Sequence, residues 1–335
     1  MSLSHEKSVQ RTPAPVGLQI RPFTGRDSDY VAAVDLVNAV FPEYPDTIDE
    51  WRFGDANRPA HIKKERWLAD LDGVPVAYGD YHQFEGMYHP RKFGIFIAVS
   101  PAYQGRGIGA ALYDEVVSAV DRHGPTSLRS RAREDVARSM RFLIDRGYQE
   151  DMRDWESRLD VTAFDPAPYA GHEDALRADG IRVVTLAELL EKDIDCREKL
   201  WALDVELTRD VPHPEPQTPI NRESFDSWVF NNPNFLPEGY FVALDGADYV
   251  GSSALWKSQA DPSELYTGLT GVRRAYRRRG IALALKLRDI AYARERGVRV
   301  IKTWNESNNR GMLSINVALG FVRQPAWVNF VKKLE

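Results

Sequence analysis

The chain has 335 residues, of which 43% are hydrophobic and 28% are charged, a balance typical of folded globular proteins that excludes a largely disordered chain. The length predicts two domains, and the net charge of −5 excludes a general basic field that would attract nucleic acid. The single cysteine, Cys196, excludes an intramolecular disulfide and a cysteine-rich zinc site.

The N-terminal residues are polar and lack the apolar core of a signal peptide, so we expect a disordered tail over residues 1–15. No segment of the sequence reaches the ~18 consecutive apolar residues that a membrane helix needs. We therefore expect neither a membrane partner nor a nucleic acid partner, and we place the protein in the cytoplasm.

After the tail, the hydrophobic pattern predicts a strand, a helix and two strands joined by an Asp-Gly turn, which is a hairpin signal. A fourth strand runs into a loop rich in arginine and glycine, and a helix follows that loop. A fifth strand, a second helix and a last strand complete this first copy. The predicted elements cover residues 18–23, 30–40, 66–71, 74–82 and 93–99, a helix with Ile108, Leu112 and Val116 on one face, and residues 127–131.

The same order of elements recurs in the second half of the chain. Residues 99–109 resemble residues 272–282, and the offset of 173 residues holds without a gap from residue 71 to residue 148. A repeat of this length predicts two tandem α+β domains, each with a mostly antiparallel mixed sheet and a strand–loop–helix crossover at its centre. The recurring elements cover residues 181–185, 196–207, 240–244, 249–256, 265–272 and 300–303.

The repeat also predicts where the domains begin and end. We expect the first domain over residues 16–160 and the second over residues 181–335. Between them we expect a linker over residues 161–180, in which prolines and Gly171 break any regular element.

The arginine- and glycine-rich loop precedes a helix start, where backbone N–H groups lack intrahelical partners and the helix dipole is positive. Such a place binds phosphate, and Gly107 and Gly280 would let an anion approach the backbone closely. The second copy has five arginines between Arg273 and Arg279, which favours a polyanionic ligand over a solvated basic turn. Neither loop has a Walker motif, and only the first meets a Rossmann fingerprint, loosely.

Both loops, Gln104-Gly-Arg-Gly-Ile-Gly109 and Arg277-Arg-Arg-Gly-Ile-Ala282, resemble the Gln/Arg-x-x-Gly-x-Gly/Ala loop that binds acyl-CoA in the GNAT N-acetyltransferase superfamily. The whole chain resembles the tandem two-domain members of that superfamily. The resemblance implies two GNAT-type domains, acetyl-CoA or another acyl-CoA as cofactor, and an enzyme that transfers an acetyl group by direct attack of an amine. The implied acceptor is an amine of a small molecule or a peptide.

The resemblance also implies a set of coenzyme-binding residues in each copy. In that superfamily the pantetheine arm pairs with the strand before the loop, and the pyrophosphate meets the loop. The implied residues are Thr270, Gly271, Val272, Arg277, Arg278, Arg279, Gly280, Ile281, Ala282, Asn305 and Asn309 in the second copy, and Ile97, Ala98, Val99, Gln104, Gly105, Arg106, Gly107, Ile108 and Gly109 in the first.

The two copies differ in how many of these features they keep. Ala132 and Val136 stand in the first copy where Asn305 and Asn309 stand in the second. We therefore expect the second copy to be catalytic and the first to be structural or regulatory. Many members of the superfamily donate a proton to the thiolate from a tyrosine, and Asn316 stands at that position in the second copy.

The candidate catalytic residues are Asn316, as a hydrogen-bond donor, and Glu264 and Tyr266, as a base or as contacts of an ordered water. A longer segment of the second copy lies where such proteins build the acceptor site, and its acids could hold a cationic amine. The candidate acceptor-binding residues are Glu206, Asp210, His213 and Glu215.

One alternative function stays open. Both copies could bind acyl-CoA without catalysis, as a sensor or a partner-binding protein, and the absence of the tyrosine favours this reading slightly. His82, Glu85 and His89 lie at a strand end and in a loop, so we expect no metal site. The oligomeric state is undetermined, and a monomer agrees with the sequence.

Overall fold

The computed structural model of the protein describes residues 12–334. Residues 1–11 of the tail that we expect over residues 1–15 lie outside the described residues. The chain divides into two units, of which unit 1 takes the described part of Met1–Trp51, Ala60–Asp151 and Val328–Glu335. Unit 2 takes Arg52–Pro59 and Met152–Trp327.

The first half of the sequence follows the predicted order of strands and helices. The elements are β1 (Leu18–Pro22), α1 (Asp27–Val40), α2 (Ile48–Ala56), β2 (Lys64–Leu71), β3 (Val74–His82), β4 (Lys92–Val99), α3 (Ile108–Asp121), β5 (Ser127–Arg133), α4 (Ala137–Ile144) and β6 (Gln149–Asp160).

The second half repeats this order with additional helices. The elements are α5 (His172–Ala178), β7 (Ile181–Thr185), α6 (Leu186–Lys192), α7 (Cys196–Thr208), α8 (Arg222–Phe230), β8 (Phe235–Asp245), β9 (Asp248–Lys257), β10 (Glu264–Val272), α9 (Ile281–Glu295), β11 (Val300–Glu306), α10 (Arg310–Ala318), β12 (Val322–Arg323) and β13 (Trp327–Lys333).

The sheet of unit 1 has the strand order β1-β2-β3-β4-β5-β13. The first four strands are antiparallel neighbours, and β4 and β5 run parallel because α3 connects them as a crossover helix. Side chains of β3 alternate between two apolar clusters, with Ala77 and Tyr81 beside residues of α3 and Tyr78 beside residues of α1. Helices therefore cover both faces of this sheet.

The sheet of unit 2 has the order β7-β8-β9-β10-β11-β6, in which β10 and β11 are the parallel pair. Its core also has two sides. Phe241 belongs to the cluster that includes residues of α9, and its neighbours Tyr240 and Val242 belong to the cluster that includes residues of α7. The observed mixed sheets with covering helices confirm the predicted α+β fold class.

Each unit takes its last strand from the other half of the sequence. The first copy ends with β6, yet residues 154–160 of β6 pair with β11 in unit 2. The second copy ends with β13, yet Val328 and Phe330 are fully buried in the core of unit 1. The expected domains, residues 16–160 and residues 181–335, therefore differ from the observed units. A repeat gives the order of strands along the chain but not the sheet that a terminal strand joins.

The structure also contains helices that the hydrophobic pattern does not predict. These are α2, α6 and α8, together with α5 inside the expected linker over residues 161–180. Gly171 precedes α5 with a φ of 77°, so it breaks the chain before the helix and does not prevent the helix. The expected linker therefore contains a helix, contrary to the prediction that no regular element forms there.

Candidate functional site

The arginine- and glycine-rich loop of unit 2 leads from β10 into α9. Gly280 precedes the first residue of α9 with a φ of 80°, a conformation that favours glycine, so the N–H groups of the first turn point out of the helix end. Arg277 folds back and donates from Nε to the carbonyl oxygen of Val272, the last residue of β10, at 3.0 Å. Arg278 and Arg279 are exposed. The loop thus combines free N–H groups with the exposed guanidinium groups of Arg278 and Arg279.

The loop of unit 1 has the same backbone shape but little charge. Gln104 donates from Nε2 to the carbonyl oxygen of Val99 at 3.0 Å, as Arg277 does to Val272. Gly107 precedes α3 with a φ of 82°. Gly105 has a φ of 80°, whereas its counterpart Arg278 adopts a φ of 62°. The resemblance between the two loops therefore extends to their backbone, and the arginines distinguish unit 2.

In both units the parallel pair of strands separates towards the loop. Pairing between β10 and β11 runs from Glu264 to Tyr266 on β10 and ends there among the described residues, although β10 continues to Val272. In unit 1 pairing between β4 and β5 ends at Gly94 in the same way. A gap of this kind exposes the backbone of Thr270, Gly271 and Val272, which an extended ligand can pair with.

Only β10 carries an irregularity at the head of this gap. The register between β10 and β9 shifts between Thr267 and Thr270, whereas β4 and β3 pair without a shift between Gly94 and Val99. The shift inserts an extra residue, so backbone groups near Gly268 leave the ladder. Gly268 also makes room for the indole of Trp256, since a β-carbon there would collide with Trp256 Nε1. The sequence missed this bulge, and the glycine is the only local signal of it.

Asn305, Asn309 and Asn316 lie on β11 and α10. Asn316 Nδ2 donates to Asn305 Oδ1 at 2.7 Å, and Asn316 is buried rather than on the helix surface. Its Oδ1 is also buried and has no hydrogen-bond partner within residues 12–334. Asn309 accepts from the N–H of Met312 and so caps α10. Asn305 and Asn316 therefore act as a pair with one acceptor oxygen still available.

Glu264 and Tyr266, the other candidate catalytic residues, share a buried neighbour. Lys302 on β11 forms an ion pair with Glu264, and its ammonium lies 5.5 Å from the centre of the Tyr266 ring. The Tyr266 ring stacks on Trp304. Lys302 is buried, and its ion pair with Glu264 offsets the cost of removing its charge from water. This ion pair gives Glu264 a structural contact, and its role as a base or as a contact of an ordered water stays a prediction.

Two of the acids expected to hold an amine contact the loop arginines instead. Glu206 pairs with Arg273 at 3.1 Å, and Asp210 pairs with both Arg274 and Arg277. The two guanidinium groups lower the pKa of Asp210 to about 2, with the hydrogen bond from Arg274 as the main cause. Both carboxylates therefore lie beside the arginine- and glycine-rich loop of unit 2, and their role in holding an acceptor amine stays a prediction.

His213 and Glu215 follow α7 in an irregular segment. Desolvation lowers the pKa of His213. Asp154 is the charged group that opposes this shift, and both residues belong to unit 2. His213 is exposed, and within the described part of the chain no hydrogen bond of its imidazole links it to the residues of the gap.

Asp204, one turn before Thr208 on α7, begins the segment expected to build the acceptor site but is not among the candidate residues. It is half-buried, and within the described residues its one hydrogen-bond contact is Thr208 Oγ1 at 3.5 Å. Burial raises its pKa to about 6. An acid at a sheet-facing helix position, between Leu203 and Leu207, is the sequence signal that could have found it.

Asp204 lies on the same face of the sheet as the bulge. Its charge acts on Tyr240 of β8, whose partner across the ladder is Ala254 of β9. A β-carbon placed on Gly268 would lie 3.5 Å from that of Ala254. Further along α7, Leu207 packs against Gly271 of β10. The helix thus carries the carboxyl group alongside β10, towards the closed end of the gap.

The residues that the structure describes contain no group of histidine, cysteine, aspartate and glutamate side chains suited to a metal ion. Among the same residues, no helix has the length and apolar character needed to cross a membrane.

The chain resembles known proteins in sequence. Relatives include the mycothiol acetyltransferase of Thermobifida fusca (strain YX), 28% identical over 67% of this chain and 70% of the relative. Another is the mycothiol acetyltransferase of Salinispora arenicola (strain CNS-205), 26% identical over 83% of this chain and 84% of the relative.

The fold has counterparts among solved structures. A GCN5-related N-acetyltransferase from Sphaerobacter thermophilus has a TM-score of 0.69 at 20% identity and covers 96% of this chain and 97% of its own. A tandem GNAT protein from the clavulanic acid biosynthesis pathway has a TM-score of 0.70 at 19% identity, and the match covers 94% of this chain and 98% of that protein's chain. The sequence model described as the acetyltransferase (GNAT) family matches residues 30–148 and residues 199–321, once in each half. The chain therefore belongs to the acetyltransferase (GNAT) family, as a tandem protein with two copies of its fold.

Proposed function

We propose that unit 2 transfers an acetyl group from acetyl-CoA to an amine. The observation that carries this proposal is the combination, in unit 2, of the arginine-rich loop at the start of α9 with a bulged strand at the head of the gap. Unit 1 has the same loop backbone and the gap but neither the arginines nor the bulge. This difference favours unit 2 as the catalytic unit.

Several features of unit 2 fit an acyl-CoA. Arg278, Arg279 and the N–H groups that follow Gly280 suit the pyrophosphate, and Thr270 to Val272 offer backbone groups to an extended pantetheine arm. The unpartnered Oδ1 of Asn316 suits an amide N–H of that arm. When bound, the coenzyme supplies an activated thioester. The proposal includes Asn305 and Asn309 as further contacts of the same arm.

We propose that Asp204 accepts the proton that the acceptor amine loses. A carboxyl group with a pKa of about 6 is largely ionised at pH 7 and basic enough to take a proton from an attacking amine. It has no cationic partner among residues 12–334 that would compete with a substrate ammonium. As the nitrogen–carbon bond forms and the carbon–sulfur bond breaks, the amine proton moves to Asp204 and the sulfur leaves as a thiolate. The Asn316 amide can donate a hydrogen bond to that sulfur but cannot supply a proton.

The coenzyme part of the proposal is tested with a matched pair of variants. Arg279→Ala removes a guanidinium from the loop of unit 2, and Arg106→Ala removes the residue at the same position of unit 1. We expect the first to weaken coenzyme A binding about tenfold or more, equivalent to ~1.4 kcal/mol, and the second to leave it unchanged. Titration calorimetry measures both. Equal affinities in all three proteins would overturn the assignment to unit 2.

The transfer itself is tested by thiol release from acetyl-CoA in the presence of an amine panel. The panel contains simple amines, peptides with a free N-terminus and, because of the curated relatives, a mycothiol-related amine. We expect release with at least one amine and acetylated product by mass spectrometry. Tight coenzyme binding without release for any amine would favour a non-catalytic acyl-CoA-binding protein.

A further inference from the structure

The second glycine of the unit 1 loop lies against the N-terminal segment of the chain. A β-carbon placed on Gly107 would lie 2.6 Å from the carbonyl oxygen of Thr12 and even closer to that of Pro13. Real β-carbons do not approach other atoms so closely, so only glycine leaves room for this peptide. The segment Thr12–Pro13 therefore passes directly over the start of α3.

The corresponding glycine of unit 2 has a different neighbour. A β-carbon on Gly280 would lie 2.6 Å from His172 Cε1, and His172 Nε2 is 3.0 Å from the carbonyl oxygen of Gly280. His172 stands shortly before β7, as Thr12 and Pro13 stand shortly before β1. The same place in the two units thus holds an imidazole in one and a backbone segment in the other.

The carbonyl groups of Thr12 and Pro13 and the imidazole of His172 should have different effects on the binding of a phosphate. Carbonyl oxygens carry partial negative charge, which suits the positive end of α3 and repels an anion at the same place. These carbonyl oxygens belong to the backbone, so they can move away from the loop only if the whole segment moves. The imidazole is the end of a side chain, which can turn aside or donate a hydrogen bond to phosphate.

The gap of unit 1 is also bridged. Ser130 Oγ on β5 donates to the carbonyl oxygen of Ile95 on β4 at 2.9 Å, one residue beyond Gly94, the last paired residue. This bond joins the two strands at the closed end of the gap, two residues before Ile97 to Val99, which correspond to Thr270 to Val272 of unit 2. The contact that the chain itself makes at the phosphate-binding position of unit 1 is therefore the one between Thr12–Pro13 and Gly107.

We propose that Thr12–Pro13 is a built-in occupant of the unit 1 coenzyme loop, so that the full chain binds one acyl-CoA and releases a second site only when this segment is removed. The inference rests on the proposed function for the identity of the ligand. It gives unit 1 a latent binding site for a CoA-type pyrophosphate.

The test is the number of coenzyme A molecules bound per chain, measured by titration calorimetry. We expect a value near one for the full chain and near two for a chain that lacks residues 1–13. A chain that lacks residues 1–9 keeps Thr12 and Pro13, so it is the matched control and should bind one. Thermal melting checks that each protein is folded. If the longer deletion unfolds the chain, Thr12→Gly with Pro13→Gly loosens the segment at constant length.

A second pair of proteins locates the sites. Arg277→Ala with Arg279→Ala in the full chain should bind none, and the same double variant without residues 1–13 should bind one. Two molecules bound by the full chain, or one bound by the folded deletion variant, would overturn the inference. Failure of all these proteins to bind coenzyme A would instead reject the proposed function. Binding only after the deletion would reject unit 2 as the site and retain the occluded loop.

Discussion

Asp204 places a carboxyl group where an apolar side chain would pack best. Burial raises its pKa from the usual value of 3.8 to about 6, so the fold favours its protonated form. The stabilisation from this preference is fully present below pH 4 and is lost as the pH rises through about 6. At pH 7 and above, the ionised Asp204 therefore destabilises unit 2.

We predict opposite effects of Asp204→Asn on stability and on turnover. Above pH 6 the free energy of unfolding of the variant should exceed that of the original protein by roughly 1–3 kcal/mol. This difference should vanish near pH 4, where Asp204 is protonated. The kcat of the variant should fall at least about a hundredfold, and the limb of the pH–rate profile near pH 6 should disappear. Urea titrations between pH 4 and 8 and initial rates measure both. Glu198→Gln on the same helix is the control, and similar behaviour of the two variants would contradict the role of Asp204.

Arg278 shows a second conflict between stability and binding at a single residue. Its φ of 62° is unfavourable for a residue with a side chain, and its counterpart in unit 1 is Gly105. Arg278→Gly should therefore raise the free energy of unfolding by about 0.5–1 kcal/mol and weaken coenzyme A binding several-fold. Arg279→Gly, at a position without positive φ, should lower both quantities. Loss of stability in Arg278→Gly would show that the arginine makes compensating contacts.

Among elements, α7 and the loop that precedes α9 are joined through carboxylates. Asp210, just after α7, holds Arg274 and Arg277, and so occupies guanidinium groups that a pyrophosphate would also attract. Because the pKa of Asp210 is about 2, this competition persists throughout the neutral pH range. The element that carries Asp204 is thus connected to the coenzyme loop.

Asp210→Asn should strengthen coenzyme A binding several-fold at low salt, and the gain should shrink as ionic strength rises. Pantetheine, which lacks the pyrophosphate, should bind the variant and the original protein equally. Asp226→Asn, which removes one partner of a surface ion pair with Arg222, is the control. Weaker binding of coenzyme A by Asp210→Asn would mean that Asp210 orients the arginines for the ligand.

At the scale of elements, the sequence predicts local features of the fold and site but not the contacts between separate strands. The loops, their glycines and the helices after them follow from local spacing, because helix starts and positive φ angles depend on neighbouring residues. The pair between Glu264 and Lys302 joins residues on separate strands, and the bulge at Gly268 depends on the register against β9. Local patterns do not encode such pairings. The sequence pattern therefore indicates Glu264 as a candidate without its partner Lys302 and does not single out Asp204, whose raised pKa depends on its burial.

For the molecule as a whole, the exchanged last strands make the two sequence repeats dependent on each other. Val328 and Phe330 of β13 fill the core of unit 1, and β6 completes the sheet of unit 2. The repeat correctly predicted two copies of one fold. It could not assign the terminal strands, because both copies end in a similar strand and the choice of partner is a long-range contact.

We predict that a chain ending at Ala326 loses the structure of unit 1, although the deletion removes residues from the second repeat. Loss of two buried side chains costs several kcal/mol, and a sheet edge beside β5 is left unpaired. Hydrogen exchange followed by mass spectrometry should show lost protection in β4 and β5. Phe330→Ala, at a cost of about 3–5 kcal/mol, is the milder form of the test. Unchanged protection in both would contradict the assignment of β13 to unit 1.

The position of β13 at the far end of the chain has a consequence during biosynthesis. When the ribosome has produced β5, the strand that will cover its edge is still about two hundred residues away, and at 5–20 residues per second it appears roughly 10–40 seconds later. Throughout that interval the nascent first repeat exposes an open strand edge and an incomplete core, which are the features that chaperones bind and that aggregate when left uncovered. The final seven-residue strand therefore decides when the first half of the protein can finish folding.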